Sequence, residues 1–434
     1  MVSTVSTWVP DISPDSPFSL ANIPFGIISS PADPAPHAAI AIGPYALDLK
    51  LLSDHASFAD IFPVLKDHVG VFSKPSLNEF AALGRPVHRE VRRAIQDLLS
   101  TETSHPEVLK DNAELRETAL HNRRNVKMHV PMTIGDYTDF YAGFHHAYAV
   151  GAMFRGPQAA LQPNYTHLPV GYHGRSSSIV VSGTPISRPF GQIVIDPTAE
   201  PKQPTTAPSR RLDIELELGC FLATPNEMGS SIKVTDAENH IFGYVLLNDW
   251  SARDIQTWEY VPLGPFNGKN FATTISPWVV LADALEPFRT KGIDNWTPLQ
   301  GYLNEGKEEN VFDIELQIEL QTPQGDVTTI CTTSSKYLMW SFPQMIAHHS
   351  LGGCPMRTGD LLGSGTISGP SMREKGSLLE LSEGGKKDIM LYGMDVRRFL
   401  KDGDAVRIQG TCGSAGARVG FGECMGRIMG AAPL

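Results

Sequence analysis

The stretch of sequence that decides the fold is RLDIELELGCFL, residues 211–222. Its strict alternation predicts a β-strand, because side chains two residues apart lie on the same face of a strand. One face would carry Leu212, Ile214, Leu216 and Leu218, and the other would carry Asp213, Glu215 and Glu217. Neighbouring carboxylates on that second face lie about 7 Å apart, which is close enough to share a dication.

The alternation by itself does not distinguish a metal site from an ordinary amphipathic strand with a solvated acidic face. The segment VFDIELQIEL, residues 311–320, has a similar pattern. We expect that second segment to be an ordinary amphipathic strand, so the pattern needs support from elsewhere in the chain.

Short runs rich in β-branched residues continue on both sides of this segment, from residue 128 to residue 434. They are SSSIVVSGTPI, HIFGYVLLND, TISPWVVLADAL, VFDIELQIELQ, GSLLELS and DAVRIQG. Because glycine-rich turns separate them, the runs predict one large, twisted β domain.

Residues 1–127 have a different character. Two short apolar segments, 23–28 and 38–42, alternate with Pro and Gly turns and predict small strands. Helices follow: Ser76 and Glu79 form the pattern of a capping box, and the segments 86–99 and 106–124 have helical features. We therefore predict a mainly β (α+β) chain with two domains, 1–127 and 128–434.

The composition limits the classes of partner. The 434 residues carry 36 Lys and Arg against 47 Asp and Glu, a net charge of −11. That sign argues against nucleic acid or an anionic membrane as the main partner, since both need a cationic surface. No apolar stretch reaches the roughly 18 residues of a membrane span.

The five cysteines are odd in number and include no Cys-x-x-Cys pair, which favours a reducing compartment and offers no thiolate zinc site. The first residues, MVSTVSTWVPDISPDSPF, lack the basic and apolar regions of a signal peptide. We therefore expect a cytosolic protein.

A second group of polar residues follows the apolar run that begins at Ile241. The run leads into Asn248 and Asp249, and a polar turn with Arg253 and Gln256 comes next. Binding groups often lie at such strand ends. Asp249 is therefore a candidate third carboxylate ligand, and Arg253 and Gln256 are candidate donors to an anion. The alternative is a helix start with ordinary charges.

A third group is IGDYTDFYAGFHHA, residues 134–147. If residues 137–154 form a helix, Asp139 and His146 lie on one stripe with about 10 Å of rise between them. A carboxylate could then hold a metal while the imidazole acts on water or substrate. The alternative for a single histidine is an ordinary buried or surface residue.

The glycine-rich segment LLGSGTISG, residues 361–369, has neither the spacing nor the lysine of a phosphate-binding loop. It predicts a tight turn between strands, where Thr366 could offer a hydroxyl to a small ligand. No G-x-S-x-G, H-E-x-x-H or EF-hand pattern is present. The pair His348-His349 lies in a predicted structural helix that begins with a Ser341–Gln344 capping box and stops at Gly352.

Seven motifs in this order resemble the fumarylacetoacetase family over nearly the whole chain. They are IGDYTDFY, MFRG, NYTHLPVGYHGRSSSIVVSGTPI, LDIELELG, NDWSARDIQTWEYVPLGPFNGKNF, SGTISG and GFGEC. The resemblance implies an N-terminal SH3-like barrel domain followed by a C-terminal β-roll domain, assembled as a homodimer. Residues 1–127 look like the family's N-terminal domain, which the related acylpyruvate hydrolases usually lack.

The resemblance also implies roles for individual residues. It implies metal ligation by Asp139, Glu215, Glu217 and Asp249, with Lys269 and Thr273 near the ion. It implies His146 as the base that activates water, Glu380 as its orienting carboxylate, and Arg253, Gln256 and Lys269 as the oxyanion group. It implies substrate contacts by Tyr141, Arg155, Tyr172, Gln256, Tyr260 and Thr366. His145 competes with His146 as the base, and alignment from Asp139 favours His146.

Four oxygen ligands without a thiolate suit Ca²⁺ or Mg²⁺. The implied reaction is metal-dependent hydrolysis of the carbon–carbon bond in 4-fumarylacetoacetate, which gives fumarate and acetoacetate in tyrosine and phenylalanine breakdown. The alternatives are an acylpyruvate hydrolase or oxaloacetate decarboxylase/tautomerase of the same superfamily, and a non-catalytic metal-binding scaffold. The complete set of acidic and histidine residues argues against the scaffold.

Overall fold

The computed structural model describes residues 6–433, and its first part is a five-stranded antiparallel sheet with short helices. The strands are β1 (Phe25–Ser29), β2 (His37–Ile42), β3 (Tyr45–Asp48), β4 (Leu120–Asn122) and β5 (Lys127–His129), in the spatial order β4-β3-β2-β1-β5. The helices are α1 (Leu49–Ser53), α2 (Phe58–Ile61), α3 (Asn78–Ala81), α4 (Arg85–Leu98) and α5 (Ala113–Ala119).

The predicted strands of this first part are confirmed as β1 and β2, and the helix expected at 86–99 is α4. The capping-box prediction is wrong. The N-cap of α3 is Leu77, whose N–H donates to the carbonyl of Pro131, so the helix starts one residue later than expected. The helix expected at 106–124 is shorter, because Asn112 caps α5 and the chain enters β4 at Leu120.

The second part is rich in strands. They are β6 (Tyr137–Phe140), β7 (Gly171–His173), β8 (Ile179–Val181), β9 (Ile186–Ser187), β10 (Phe190–Val194), β11 (Pro204–Pro208), β12 (Leu212–Asp213), β13 (Leu216–Leu222), β14 (Ile241–Asp249), β15 (Ser251–Ala252), β16 (Thr273–Ile275), β17 (Val280–Leu281), β18 (Arg289–Thr290), β19 (Val311–Phe312), β20 (Glu315–Gln321), β21 (Val327–Ser334), β22 (Leu361–Gly363), β23 (Ile389–Met390), β24 (Val396–Arg397), β25 (Ala405–Cys412) and β26 (Val419–Met429).

The helices of this part are α6 (Phe144–Arg155), α7 (Arg253–Glu259), α8 (Ala282–Leu285), α9 (Phe342–Ser350) and α10 (Leu378–Leu381). Single 3₁₀ turns along the chain are Pro63–Leu65, Val69–Ser73, Arg123–Asn125, Pro157–Ala159, Ser176–Ser178, Ala237–His240, Glu286–Phe288, Gly301–Leu303, Ser335–Tyr337, Met372–Glu374 and Tyr392–Met394. Within residues 6–433, no helix is long and apolar enough to cross a membrane.

An eight-stranded mixed sheet forms the centre of the second part. Its strands follow the order β7-β6-β22-β13-β14-β16-β8, and β17 also pairs with β14. A five-stranded sheet, β21-β20-β25-β26-β9, packs beside it. Short two-stranded pairs, among them β12 with β15, complete this part.

The central sheet is covered on both faces, which explains why β14 has no exposed residue. Phe221, Val245 and Leu247 belong to the hydrophobic core of the N-terminal part. The residues that alternate with them, such as Leu218 and Leu246, belong to the core of the second part. Strands that are buried on both faces read as nearly continuous apolar runs.

The two similar segments, 211–222 and 311–320, have opposite environments. The first segment forms two strands, β12 and β13, with Ile214 and Glu215 between them, and not the single strand that the alternation predicts. Its leucine face lies in the C-terminal core, but its acidic face is buried too. In β20, by contrast, Leu316, Ile318 and Leu320 are buried while the polar residues between them are partly or fully exposed, as expected of an amphipathic strand.

The helix predicted over residues 137–154 is wrong in its first part. Residues 137–140 form β6, which pairs in parallel with β22, and the helix starts only at Phe144. Gly143 makes the transition possible, since a Cβ atom there would lie 2.0 Å from the carbonyl oxygen of Thr366. The Ser341–Gln344 capping box of α9 is confirmed, and that helix ends at Ser350.

A buried ion pair joins the two parts, and it leads to a prediction about stability. Asp283 accepts hydrogen bonds from Arg85 and Arg89 through the same oxygen, at 3.0 and 2.8 Å. The side chain of Arg85 is 8% exposed and that of Arg89 is 46% exposed. We expect Arg85→Ala to lower the free energy of unfolding by about 3 kcal/mol, and Arg89→Ala to lower it by less than about 1 kcal/mol.

Urea unfolding of both variants tests this difference. Equal losses of stability would show that burial of Arg85 does not control the strength of the junction. Both arginines donate to Asp283, and Arg85 also donates to Oε1 of Glu286 at 2.6 Å, so its removal takes away a second ion pair as well.

Candidate active site

Three buried carboxyl groups meet on neighbouring strands of the central sheet. Asp139 lies on β6, Glu217 on β13 and Asp249 at the end of β14. One carboxylate oxygen of each residue lies within 4.8 Å of those of the other two. The sequence places these residues up to 110 positions apart, and the strand order brings them together.

Gly363 on β22 makes this meeting possible. Strand β22 lies between β6 and β13, and Gly363 pairs with Asp139. A Cβ atom on Gly363 would lie 2.9 Å from Oε2 of Glu217 and 3.0 Å from Oδ1 of Asp139. The absence of a side chain on Gly363 therefore provides the space in which the two carboxyl groups face each other.

The electrostatics of the three groups fit a bound cation. Burial, reinforced by the neighbouring acids, raises the pKa of Asp139 and of Glu217 well above the usual range, and burial also raises the pKa of Asp249. In the described part of the chain, Oδ1 of Asp139 and Oε1 of Glu217 are buried without a hydrogen-bond partner. Buried oxygens without partners are costly unless an ion or water satisfies them.

The charges around these groups are also unbalanced. Within residues 6–433, six buried carboxyl groups but three buried Lys or Arg side chains lie in this region: Asp139, Asp213, Glu215, Glu217, Asp249 and Glu380, with Arg253, Lys269 and Lys375. An all-oxygen donor set with excess negative charge suits a hard divalent cation.

Glu215 borders the three carboxyl groups but has cationic partners of its own. Its Oε1 accepts a hydrogen bond from Nη2 of Arg253 at 2.8 Å, and its Oε2 accepts one from Nζ of Lys269. Burial would raise the pKa of Glu215, but Lys269 and Arg253 outweigh burial and hold the pKa well below its usual value. Lys269 also donates to Asp249, so it links Glu215 to the triad.

His146 and Glu380 form a buried pair beside these acids. The Nδ1 atom of His146, in the first turn of α6, lies 2.6 Å from Oε2 of Glu380. Burial opposes ionisation of Glu380, yet His146 and the hydroxyls of Ser368 and Ser377 lower its pKa below the usual value. An ionised Glu380 fixes the imidazole proton on Nδ1.

The other ring nitrogen of His146 faces the acidic residues. Its Nε2 lies 3.7 Å from Oε1 of Glu215 and carries the lone pair when the ring is neutral. His145 has a different environment: its ring packs edge-on against Phe144 and Tyr337, 5.2 and 5.3 Å between centroids. The geometry therefore brings His146, and not His145, to the carboxyl groups.

Arg253 lies at the start of α7 with its guanidinium buried. Its Nε donates to Asp213 at 2.8 Å, and its Nη1 donates to Oε1 of Gln256 at 3.3 Å. Together with the Glu215 bond, three of the five N–H groups of a guanidinium are engaged. The remaining N–H groups can bind a developing negative charge.

Several expected substrate contacts lie at this site. The ring of Tyr141 packs edge-on against His146 with 5.6 Å between centroids. Tyr172 donates to Asp249 at 3.4 Å, and Thr273, which was expected near the ion, donates to the same residue at 3.2 Å. Thr366 is buried in the turn after β22, where its carbonyl faces Gly143.

Two expected contacts are not brought to the carboxyl groups. The guanidinium of Arg155 donates to the carbonyls of Ala159 and Ala160, at 3.0 and 2.7 Å, and the residue is exposed. Tyr260 follows the last turn of α7 and is 49% exposed. Both residues lie at the ends of helices whose other residues do reach the site.

Sequence reasoning missed some residues of this site. Tyr137 precedes Asp139 by two positions, and its buried hydroxyl would lie 3.0 Å from a Cβ atom on Gly363. Tyr137 and Asp139 lie two positions apart on β6, so their side chains share one face of that strand, and this spacing was the available signal. Ser368 and Ser377 both donate to Glu380. Ser377 is the N-cap of α10, and its S-x-x-E spacing to Glu380 was the available signal, whereas Ser368 carries no such pattern.

A buried imidazole–carboxylate pair can act as a general base, and a neighbouring dication can polarise a carbonyl group. The combination is typical of a metal-dependent hydrolase. Comparisons with known proteins give the family. The model described as fumarylacetoacetate (FAA) hydrolase C-terminal matches residues 137–428, and the model described as fumarylacetoacetase N-terminal matches residues 21–131. The chain belongs to the fumarylacetoacetate hydrolase family.

Relatives match the chain almost from end to end. Fumarylacetoacetase fahA of Aspergillus fumigatus is 57% identical over 432 residues, which is 99% of this chain and 100% of that protein. The fumarylacetoacetase of Homo sapiens is 47% identical over 419 residues, 96% of this chain and 97% of that protein. A putative HpcE protein from Mycobacterium smegmatis has a similar fold, with 18% identity, a TM-score of 0.51 and coverage of 94% and 99% of the two chains.

Proposed function

We propose that this enzyme hydrolyses the carbon–carbon bond of 4-fumarylacetoacetate and releases fumarate and acetoacetate, the last step of tyrosine and phenylalanine catabolism. The observation that carries the proposal is the buried His146–Glu380 pair, whose free nitrogen faces Glu215 beside the three carboxyl groups. Relatives named fumarylacetoacetase that cover both parts of the chain support this substrate.

Asp139, Glu217 and Asp249 would hold a divalent cation, with Glu215, Lys269 and Thr273 next to it. We propose Ca²⁺ or Mg²⁺, because all the available ligand atoms are oxygens. When bound, such a cation supplies Lewis-acid polarisation of carbonyl oxygens and neutralises part of the excess negative charge.

The side chains of the chain can perform the remaining chemistry. His146 takes a proton from water at Nε2, and Glu380 stabilises the imidazolium that forms. The hydroxide adds to the carbonyl on the fumaryl side of the diketone. Arg253 and Lys269, with Gln256 orienting Arg253, stabilise the tetrahedral oxyanion through N–H groups fixed before the reaction.

Collapse of the tetrahedral intermediate breaks the carbon–carbon bond and releases fumarate. The electron pair of that bond leaves as the enolate of acetoacetate, and a proton, which His146 can return, adds to its carbon. Tyr141, Tyr172 and Thr366 would form the walls that hold the diketone against His146.

Turnover of 4-fumarylacetoacetate against acylpyruvates and oxaloacetate, followed by loss of diketone absorbance or of substrate, tests the assignment. Preferential turnover of fumarylacetoacetate is the expected result. Preferential turnover of an acylpyruvate or of oxaloacetate would instead identify the enzyme as an acylpyruvate hydrolase or an oxaloacetate decarboxylase/tautomerase of the same superfamily. If the protein binds a dication but turns over none of these acids, it is a non-catalytic metal-binding scaffold.

Arg155 provides a test of substrate binding. If its guanidinium leaves the carbonyls of Ala159 and Ala160 to grip a substrate carboxylate, Arg155→Ala should raise KM about tenfold with kcat unchanged. Arg398→Ala, which removes an exposed arginine paired with Asp388, is the control. An unchanged KM in the Arg155 variant would remove this residue from the substrate site.

The family resemblance further supports an SH3-like barrel for residues 1–127, a β-roll for residues 128–434 and assembly as a homodimer. We propose these features and a cytosolic location, with which the five free cysteines agree. Light scattering of the purified protein measures the oligomeric state directly.

A further inference from the structure

Asp213 is a buried carboxylate that the proposed mechanism does not use. It lies at the end of β12, two residues before Glu215, and none of its surface is exposed. Its two oxygens accept four N–H groups. Oδ1 accepts from the backbone of Ile214 and Leu378, both at 2.7 Å, and Oδ2 accepts from Nε of Arg253 at 2.8 Å and the backbone of Leu379 at 3.0 Å.

These partners belong to two different elements of the active site. Arg253 begins α7 and is the proposed oxyanion donor. Leu378 and Leu379 are the first residues of α10, the single turn that carries Glu380. The hydrogen bonds join positions 40 and 165 residues apart, so no local structure would otherwise fix the two elements together.

Each of these bonds constrains one group in the reaction. The bond to Nε of Arg253 orients the planar guanidinium, so that its other nitrogens point to Glu215 and Gln256. The two backbone bonds hold the turn of α10, and Glu380 in that turn reaches Nδ1 of His146 at 2.6 Å. A displacement of about 1 Å in such groups can cost about 100-fold in rate.

We propose that Asp213 is a positioning residue that fixes the oxyanion donor Arg253 and the base-orienting Glu380 relative to each other. The inference rests on the proposed function, because it assigns those two roles. Asp213 itself contacts neither His146 nor the three carboxyl groups of the triad through any hydrogen bond in the described structure. Its effect on the reaction is therefore indirect.

The chain supplies a matched control with the same local sequence. Residues 213–216 and residues 313–316 both read Asp-Ile-Glu-Leu. Asp313 is exposed and accepts one side-chain hydrogen bond, from the hydroxyl of Ser334 at 2.6 Å. The substitution Asp313→Asn therefore makes the same chemical change beside the same neighbours in sequence, away from the site.

Asp213→Asn is the decisive variant, because both orientations of the new amide are unfavourable. Its NH₂ group must face either the N–H groups of Ile214 and Leu378 or those of Arg253 and Leu379. We expect kcat to fall about 100-fold with KM changed less than about threefold. We expect metal affinity to stay at the wild-type value, and Asp313→Asn to match wild type in kcat and KM within twofold.

A double-variant measurement separates positioning from general damage. In the Glu380→Gln background the orientation of the base is already lost and only the effect through Arg253 remains, so Asp213→Asn should lower kcat by clearly less than its roughly 100-fold effect in wild type. If Asp213→Asn does not fold, Asp213→Glu keeps the charge and both oxygens on a longer arm, and we expect a loss of kcat in the same direction.

Three outcomes would overturn the proposal. The first is a kcat of Asp213→Asn close to that of Asp313→Asn, and the second is a full loss of about 100-fold in kcat when Asp213→Asn is added to Glu380→Gln. The third is a loss of metal affinity in Asp213→Asn that accounts for its loss of activity. Wild-type kcat in Asp213→Glu would do the same where that variant is used. Failure of the proposed function is a separate result, since wild type and Asp313→Asn would then both be inactive on fumarylacetoacetate. If they act on an acylpyruvate instead, the same comparison is made with that substrate.

Discussion

We expect His146→Ala to fold normally and to turn over fumarylacetoacetate about 10²–10⁴-fold more slowly than wild type, as removal of a general base does. Folding should survive, because Oε2 of Glu380 keeps the hydroxyls of Ser368 and Ser377 as donors when the imidazole is absent. The loss should fall on kcat, since Nε2 acts on water and contributes little to binding the diketone.

His145→Ala is the matched control, with the same change one residue earlier on the same helix. The ring of His145 packs against Phe144 and Tyr337 and makes no hydrogen bond or ion pair to a carboxyl group of the site in the described structure, so we expect activity close to wild type. Stopped-flow or steady-state loss of diketone absorbance measures both variants. A normal rate in His146→Ala together with a large loss in His145→Ala would reverse the assignment of the base.

The second large effect concerns the metal. We expect Asp249→Ala to weaken binding of Mg²⁺ or Ca²⁺ by at least about 100-fold, because even supporting residues of a metal site contribute 10–100-fold to affinity. The substitution removes one of three carboxylates and frees Lys269, which then pairs with Glu215 alone. Calorimetric titration of the chelator-treated protein measures the affinity directly.

Treatment of wild type with EDTA should abolish turnover, and adding either ion back should restore it. Asp313→Asn, which changes an exposed carboxylate outside the site, should bind metal like wild type. Binding of Asp249→Ala with wild-type affinity and stoichiometry would show that the three carboxyl groups are not the metal site.

The periodicity of single segments predicted much of this fold. The alternation in residues 211–222 predicted extended chain with its leucines on one face, although the structure divides it into β12 and β13. The capping box of α9 predicted where that helix begins. Both features are local, because they depend on side chains two or three positions apart. The burial of the acidic face is not local: it depends on Arg253, Lys269 and the turn of α10, which lie 38 to 166 positions further along the chain.

The error at residues 137–154 has a similar cause. A helix over the whole segment was the hypothesis that put Asp139 and His146 on one stripe, but residues 137–140 form β6, because β22, more than 200 residues later, supplies a parallel partner. The residue roles came from the family resemblance, and spacing alone left His145 and His146 open. No periodicity would have shown that the side chain of Arg155 binds carbonyls of its own helix end.

One face of the central sheet carries both acidic residues of the site and apolar residues of the N-terminal core, so a substitution in that core can affect the site. Alternation places Glu217 on the same side of β13 as Phe221, and Asp249 on the same side of β14 as Leu247. Phe221 and Leu247 are packed into the N-terminal core. A cavity in that core can therefore shift the strands that carry Glu217 and Asp249, so a substitution in the N-terminal part can disturb the three carboxyl groups without contacting them.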